Sequence, residues 1–264
     1  MTKQEVRYVS CAVPGLQEVL DGVVGIYQHR NLKIEHNGEV FWFKQVENLN
    51  LKGKILKANP VDSFRREYDA MLRLSDEGLP VPEIVASGPG WFVTRHSGEQ
   101  VRRIFRKKRG TLDERLKMFR EVGRSMACLH RRGYSHGRPN LKDMSWDGQK
   151  VTLMDFEGFY DKRNAVAGHA RDMILFVFFA IQDKGGYTEE LDSALTAYRE
   201  ELTKGGKLGI WLAARRRYII RFGWLCYLCL PLAKLFPRNK PLAALTIIRD
   251  VFSQNRRPPM LPGS

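Results

Sequence analysis

The first hundred residues show short runs of alternating apolar and polar positions, a pattern that is typical of strands. Two such runs, Leu32–His36 and Val40–Val46, flank Asn37-Gly38, the dipeptide that most strongly favours a two-residue hairpin turn. We therefore expect strand structure from Ile26 to about Val46. The rest of this region predicts one helix and two further strands, at Ser63–Leu74, Ile84–Ala86 and Trp91–Thr94.

After Gly98 the apolar positions change to helical spacing. Thr111 and Glu114 form a capping-box sequence ahead of apolar residues that continue to Leu129. The run Arg171–Ile181 is almost wholly apolar and predicts a buried central helix, and another helix is expected to begin at Thr188 and helical structure to continue to Val251. The pattern thus predicts an α+β protein with a small sheet lobe, residues 1–97, and a larger helical lobe, residues 98–264.

Charge is distributed unevenly along the chain. There are 44 Lys and Arg against 29 Asp and Glu, and residues 98–138 hold 13 basic side chains against 4 acidic ones. Residues 204–264 hold 12 against 1. This asymmetry favours an anionic partner, either a membrane surface or a multiply phosphorylated substrate, although basic faces that only maintain solubility are an alternative. No nucleic acid is expected as a partner, because no nucleic-acid-binding motif is present.

The longest apolar run, Phe222–Ala233, is twelve residues long and lies between Arg221 and Lys234. It is too short to span a bilayer and predicts a buried or interfacial helix. The preceding Arg215–Arg217 would suit an anionic membrane surface. Because the N-terminus lacks the apolar segment of a signal peptide, we expect a cytoplasmic protein that can lie against a membrane surface.

Cysteine usage agrees with a reducing compartment. The chain has four cysteines, and the Cys226–Cys229 pair has the C-x-x-C spacing without a second pair or a histidine nearby. We expect buried free thiols, with zinc binding or redox chemistry as the alternatives.

Two carboxylates stand out between Leu129 and Glu157. Asp143 follows a polar loop and Asp155 ends an apolar strand, twelve residues later, with the turn dipeptide Asp147-Gly148 between them. A strand pair around that turn would bring both acids to the same end. Two carboxylates so placed suit a magnesium ion that carries nucleotide phosphates, which points to phosphoryl transfer.

The first lobe offers complementary groups. Lys44 lies in an apolar strand on the same face as Trp42, and a buried ammonium requires a partner, for which Glu67 on the following helix is the natural candidate. Gly22 and Gly25 are candidates for a loop over the phosphates of ATP. A turn that supports the first strand is the alternative for these glycines.

In this arrangement the chain resembles the protein-kinase-like fold and, more narrowly, the small bacterial lipopolysaccharide kinases, which phosphorylate heptose or Kdo sugars of the core. The resemblance covers about residues 26–182. It is carried by the following residues: the strand lysine Lys44, the helix glutamate Glu67, the hinge Thr94–Gly98, the loop His130 to His136-Gly137, the triplet Asp155-Phe156-Glu157, and Arg171-Asp172 on a helix that buttresses the loop.

The resemblance implies a two-lobe kinase that uses ATP and Mg²⁺. Lys44 would bind the α- and β-phosphates with Glu67 fixing its position, and Asp155 would bind the metal. His136 and its loop would contribute to catalysis. The implied acceptor is a sugar hydroxyl of a lipopolysaccharide core intermediate, or another anionic acceptor, at the inner membrane face.

The chain departs from the family pattern H-x-D-x-x-x-x-N in the catalytic loop. Arg138 occupies the position of the aspartate that contacts the acceptor hydroxyl, and Asp143 that of the metal-binding asparagine. Arg138 would then neutralise the transferring phosphate, with Asp143 as second metal ligand or displaced base. The alternatives are a nucleotide-binding pseudokinase scaffold, in which Arg138 pairs with a carboxylate, and a protein Ser/Thr kinase.

Overall fold

The computed structural model describes residues 7–46, 60–236 and 239–253. The chain divides into two compact units, Met1–Ser97 and Gly98–Ser264. The first is built around a small antiparallel sheet and the second is mainly helical. The expected α+β class, with a small N-terminal sheet region and a larger helical C-terminal region, is therefore confirmed.

In its described residues the first unit is a four-stranded antiparallel sheet in the order β1-β2-β4-β3, with two helices. Asn37 and Gly38 both have positive φ, as the tight turn between β1 and β2 requires. In chain order the elements are α1 (Leu16–Asp21), β1 (Asn31–His36), β2 (Glu39–Gln45), α2 (Pro60–Asp76), β3 (Ile84–Gly88) and β4 (Trp91–Arg95).

Alternation along β2 decides which side chains enter the core. Phe41 and Phe43 are fully buried, in a cluster that also includes Leu16 and Leu20 of α1. Trp42 and Lys44 lie on the opposite face, as the sequence predicts. The sheet therefore presents Lys44 away from its apolar core.

The expectation of strand structure from Ile26 is wrong for the first few residues, because β1 begins at Asn31. The preceding segment continues α1 as hydrogen-bonded turns, in which Val23 and Val24 both donate backbone N–H groups to the Leu20 carbonyl. Val23 and Val24 pack against the core from these turns. The turns continue into the predicted strand, where the Ile26 and Tyr27 N–H groups are both donated to the Val23 carbonyl and are not available for strand pairing.

The second unit combines a three-stranded sheet, in the order β5-β6-β7, with six helices among the described residues. In chain order its elements are β5 (Glu99–Gln100), α3 (Val101–Lys107), α4 (Leu112–Arg131), a 3₁₀ turn (Leu141–Asp143), β6 (Met144–Trp146), β7 (Val151–Leu153), 3₁₀ turns at Phe156–Gly158 and Asp161–Arg163, α5 (Val166–Lys184), α6 (Glu189–Lys204), α7 (Gly209–Leu235) and α8 (Lys240–Ser253).

The core helices begin where the sequence places their caps. The Thr111 and Glu114 capping box is formed, and Thr188 accepts a hydrogen bond from the Leu191 N–H at the start of α6. Helices α4 and α6 pack together, and a buried Arg115–Glu190 ion pair, 2.9 Å between Nε and Oε1, joins them. The expected buried helix is α5, which extends beyond the predicted Arg171–Ile181 at both ends.

Helix α7 is longer than the apolar run predicted, because the helix continues through the flanking arginines for 27 residues. It packs on α5 and α8. Within it Cys226 and Cys229 are buried free thiols, whereas Cys11 and Cys128 are only partly buried. Among the described residues α7 is the one helix that is long and apolar enough to span a membrane, and only 17% of its most apolar window is buried.

Candidate functional site

In the first unit the candidate nucleotide-binding residues form an ion pair. The Lys44 Nζ donates to both carboxylate oxygens of Glu67, at 2.5 and 2.6 Å. The Glu67 side chain is only 3% exposed and the Lys44 side chain 18%. Arg30 contributes a second cation, 4.0 Å from Glu67. The glutamate therefore holds the lysine ammonium in one position at the edge of solvent.

Gly22 and Gly25 lie in the turns that follow α1. In these turns the N–H groups of Val23 and Val24 are already donated to Leu20. A phosphate-binding loop needs outward-pointing N–H groups. The local geometry thus favours a turn that supports β1, and phosphate binding by these glycines stays a prediction.

In the second unit, hairpin pairing brings the two candidate metal ligands to one end. Met144 of β6 pairs with Leu153 of β7, and the Met154 N–H donates to the Asp143 carbonyl at 2.8 Å. Asp155 follows directly in the left-handed region, at φ 62° and ψ 61°. This conformation is rare for residues other than glycine and is stored strain where it occurs at functional sites.

Asp143 is a buried carboxylate with incomplete pairing. Its side chain is 7% exposed, Lys142 Nζ lies 3.4 Å from Oδ1, and Oδ2 has no hydrogen-bond partner within the described part of the chain. Burial raises the pKa of Asp143 to about 7, and the negative charge of Asp155 adds to the effect. A cation bound at this carboxylate would offset both the cost of burial and the repulsion from Asp155.

Arg138 reaches towards Asp155. Its guanidinium NH2 lies 3.6 Å from the Asp155 Oδ2, and its side chain is 54% exposed. The contact is longer than a hydrogen bond and lies largely in solvent, so it is a weak ion pair. Arg138 can therefore leave Asp155 for another anion at little cost.

His136 is placed differently from the expectation. Its ring is fully buried, stacks on Phe156 with 4.7 Å between ring centroids, and Nε2 lies 2.9 Å from the Met154 carbonyl oxygen. Burial lowers the pKa of His136. In this position the ring supports the turn after Met154, and a catalytic role for His136 stays a prediction.

Asp172 of α5 anchors the loop that carries Arg138. Its two oxygens accept hydrogen bonds from the backbone N–H groups of His136 and Gly137, at 2.6 and 3.0 Å. His130 Nε2 lies 3.3 Å from the same carboxylate, and Arg171 donates to the Gly137 carbonyl. The carboxylate thereby fixes the backbone one residue before Arg138.

Gly137 is required where this loop meets the turn after Asp155. Its φ is +95°, and a Cβ atom would lie 2.0 Å from the Gly158 carbonyl oxygen. Any side chain would separate the two segments. The sequence predicts that Gly137 lies in the loop, but it gives no sign of this close approach, since Gly158 lies 21 residues away.

The sequence does not predict the network of buried polar side chains that contacts Asp172 through His130. His130 Nδ1 lies 2.6 Å from the Tyr198 hydroxyl, and its ring stacks on His169 at 4.7 Å. These side chains are buried on three different helices. Their spacing in sequence carries no signal that would have predicted the contact.

Comparison with known proteins gives remote similarities. No family model matches the chain. A protein of Haemophilus influenzae described as uncharacterized is 26% identical over 226 residues, covering 84% of this chain and 88% of that protein. Two solved structures of WbdD, one of them described as a bifunctional kinase-methyltransferase, match at 15% identity, with TM-scores of 0.45 and 0.46. They cover 69% and 66% of this chain, which spans less than half the length of either WbdD chain.

Proposed function

We propose that the chain is an ATP-dependent phosphotransferase of protein-kinase-like organisation that transfers the γ-phosphate to a sugar hydroxyl of a lipopolysaccharide core intermediate, on heptose or Kdo. The observation that carries the proposal is the Asp143 carboxylate, which is buried with one oxygen unpaired at the hairpin end where Asp155 follows. A buried carboxylate that is only partly paired is costly and is kept where it has a use.

The donor set fits a magnesium ion. Asp143 and Asp155 offer carboxylate oxygens, the ligand type that Mg²⁺ prefers, and the unpaired Oδ2 of Asp143 has capacity for a ligand bond. When bound with ATP, the metal would supply positive charge that offsets the charge of the phosphates. The chain's own contribution is to hold both carboxylates at the end of a short hairpin.

Lys44 takes the role of phosphate-binding cation in this proposal. Glu67 fixes the position of the ammonium by accepting two hydrogen bonds from it. Because a compact ammonium held at one point can bind phosphate oxygens without reorganising, the pair is prepared before nucleotide arrives.

The missing aspartate of the catalytic loop is compatible with turnover. Phosphoryl transfer passes through a loose transition state in most analyses, so positioning and charge neutralisation matter more than a strong base. General base catalysis contributes typically 10²–10⁴-fold. In the proposal Arg138, held by the Asp172-anchored loop, places a mobile guanidinium beside the anionic oxygens of phosphate or acceptor.

Support for an anionic glycan acceptor comes from the sequence resemblance and from charge. Helix α3 and the residues after it expose a row of cations on the second unit, where Arg106, Lys107 and Lys108 are solvent-facing. Such a surface attracts phosphorylated or carboxylated sugars.

The test is transfer from labelled ATP to core oligosaccharide by the purified chain and by Asp155→Ala. We expect the variant to lose at least about 10³-fold in turnover, since a metal ligand contributes several kcal/mol. The matched control is Asp147→Ala, which removes a carboxylate from the turn at the other end of the same hairpin. Undiminished turnover in Asp155→Ala would rule out the metal role.

The second candidate, a nucleotide-binding scaffold without turnover, is favoured by the Arg138–Asp155 ion pair. In that case Arg138 supplies a cation at a carboxylate that the metal would otherwise occupy. The two functions separate in one experiment. A scaffold binds ATP with or without magnesium and transfers no label to intact or delipidated acceptor, whereas the enzyme requires magnesium and transfers it.

A further inference from the structure

The second unit carries an exposed apolar surface that the phosphotransfer proposal does not use. Large apolar side chains on α7 follow one another at spacings of three, four or seven residues, which places them on one side of the helix. Ile220, Trp224, Tyr227, Leu228 and Leu235 are all at least 60% exposed. We call these five residues the outer face of α7.

The opposite side of α7 is buried inside the unit. Trp211 and Tyr218 pack against Phe252 of α8, at 5.2 and 5.3 Å between ring centroids. The Arg215 Nε donates to the Phe252 carbonyl at 2.9 Å. Helix α7 is therefore anchored to the protein by one side. Within the described residues its outer face is largely uncovered, although the Arg249 guanidinium of α8 lies 5.6 Å from the centroid of the Tyr227 ring.

Cations accompany the outer face. Arg217 and Arg221 lie seven and three residues before Trp224, on its side of the helix, and Arg216 lies four residues before Ile220. The sequence has no acidic residue from Leu202 to Arg249. A partner that covers this face must therefore accept apolar, aromatic and cationic groups together.

We propose that the outer face of α7 is a membrane-docking surface for an anionic lipid bilayer. Trp224, Tyr227 and Leu228 enter the boundary between headgroups and acyl chains, and the arginines contact lipid phosphates. This inference goes beyond the proposed phosphotransfer and does not depend on it.

By total length and composition α7 could cross a bilayer, but the positions of its charges favour a place in the interface. The stretch between Arg221 and Lys234 is twelve residues long, which gives about 18 Å of helix, whereas the hydrocarbon core is about 30 Å thick. Spanning would also require the anchored side of the helix to leave α8. A second copy of the chain is a poor occupant, because a two-fold contact would bring the same arginines close to one another.

The test uses the purified full-length chain and sedimentation with vesicles of phosphatidylcholine, either alone or mixed with phosphatidylglycerol. We expect binding to the anionic vesicles only. Arg216→Gln, Arg217→Gln and Arg221→Gln combined should weaken binding about 100-fold, since each cation near the surface contributes about fivefold. Trp224→Ser with Leu228→Ser should weaken it at least about tenfold.

The matched control removes three exposed arginines from α4 and its C-terminal cap, Arg120→Gln, Arg124→Gln and Arg132→Gln. It lowers net charge equally, and binding should stay within about twofold because screening confines the attraction to nearby cations. Tryptophan emission provides an independent readout. It should shift to shorter wavelength with anionic vesicles in the parent chain and lose that shift in Trp224→Phe.

Three outcomes would overturn the proposal. One is equal weakening by the control and the α7 triple variant, which would mean attraction by net charge alone. Another is retention of the cellular chain in membranes through alkaline extraction, which would mean a spanning helix. The third is no vesicle binding together with a concentration-dependent dimer that shields Trp224, which would assign the face to a second copy.

Discussion

Asp172 and Asp143 are both buried carboxylates in the second unit, yet their surroundings differ. Asp172 is fully buried and accepts two short backbone hydrogen bonds, with His130 beside it. Asp143 is 6% exposed and retains an oxygen without a partner. A carboxylate saturated by donors holds structure, whereas one that lacks donors is suited to bind a ligand.

The largest effect on stability is expected from removing Asp172, the carboxylate that is saturated with hydrogen-bond donors. Asp172→Ala leaves the N–H groups of His136 and Gly137 buried without an acceptor. Each orphan group costs about 1–3 kcal/mol, so we expect the free energy of unfolding to fall by about 4 kcal/mol in urea denaturation.

The graded control is Asp172→Asn, which keeps one acceptor oxygen and should lose roughly half as much. If Asp172→Ala unfolds at the same urea concentration as the parent, Asp172 does not anchor the loop. Turnover should fall with the loop's order in both variants.

A slightly smaller effect is expected from protonating the histidines behind Asp172. Burial, followed by the neighbouring His130, lowers the pKa of His169 to about 4. The unfolded chain takes up a proton below about pH 6.5 and the folded chain only near pH 4, so stability is present above pH 6.5 and is lost as pH falls. We expect His169 to account for about 3 kcal/mol of acid destabilisation in that window.

The control for this pH dependence is His169→Phe, which removes the titrating group and keeps a ring to stack on His130. The free energy of unfolding of the parent should fall relative to that of the variant as pH drops from 6.5 to 4. A constant difference across that range would show that His169 is already protonated in the folded protein.

At Asp143, the carboxylate with an unpaired oxygen, removing the charge should stabilise the protein. Asp143→Asn replaces a buried, incompletely paired carboxylate by a neutral group of the same shape. In magnesium-free buffer at pH 8 we expect the free energy of unfolding to rise by about 2 kcal/mol. Magnesium with ATP should then raise the melting temperature of the parent more than that of the variant.

The opposite result has a definite meaning. A drop in stability for Asp143→Asn without magnesium would show that the Lys142 contact already compensates the charge. Asp143 would then be a structural residue like Asp172, and the proposed metal site would lose its main support.

The same contrast separates what the sequence could predict from what it could not. The Asn37-Gly38 hairpin, the Thr111 cap and the Lys44–Glu67 pair follow from neighbours in sequence or from one element next to another, where local rules suffice. The Asp143 and Asp155 positions follow from a single hairpin turn.

Partners that come from several helices were not predictable. His136 resembles a catalytic-loop histidine in sequence, but its burial against Phe156 and the Met154 carbonyl depends on tertiary packing. Strand β1 begins at Asn31, later than predicted, because the preceding segment forms hydrogen-bonded turns from which Val23 and Val24 pack against the core. Helical structure was expected through this region, but the twelve-residue apolar run did not predict the length of α7, because long basic side chains on either side continue the helix.

The smallest stability effect and the most informative kinetic effect are expected at Arg138. This residue follows the loop that Asp172 anchors and pairs with Asp155. Arg138→Asp introduces the aspartate of the H-x-D-x-x-x-x-N pattern and removes a guanidinium that is 54% exposed and 3.6 Å from Asp155. Because an exposed pair of this kind contributes little, the free energy of unfolding should change by no more than about 0.5 kcal/mol. Turnover should change by at least about tenfold, because charge beside the transferring phosphate is altered.

Arg138→Lys separates charge from shape at the same position. It keeps one cation but loses the planar fork, so a rate between those of the parent and Arg138→Asp would indicate that both neutralisation and bidentate contact matter. An unchanged rate in Arg138→Asp with unchanged stability would make Arg138 a surface residue. A large loss of stability would instead make its pair with Asp155 structural, and Asp155 would then belong with Asp172 rather than with Asp143.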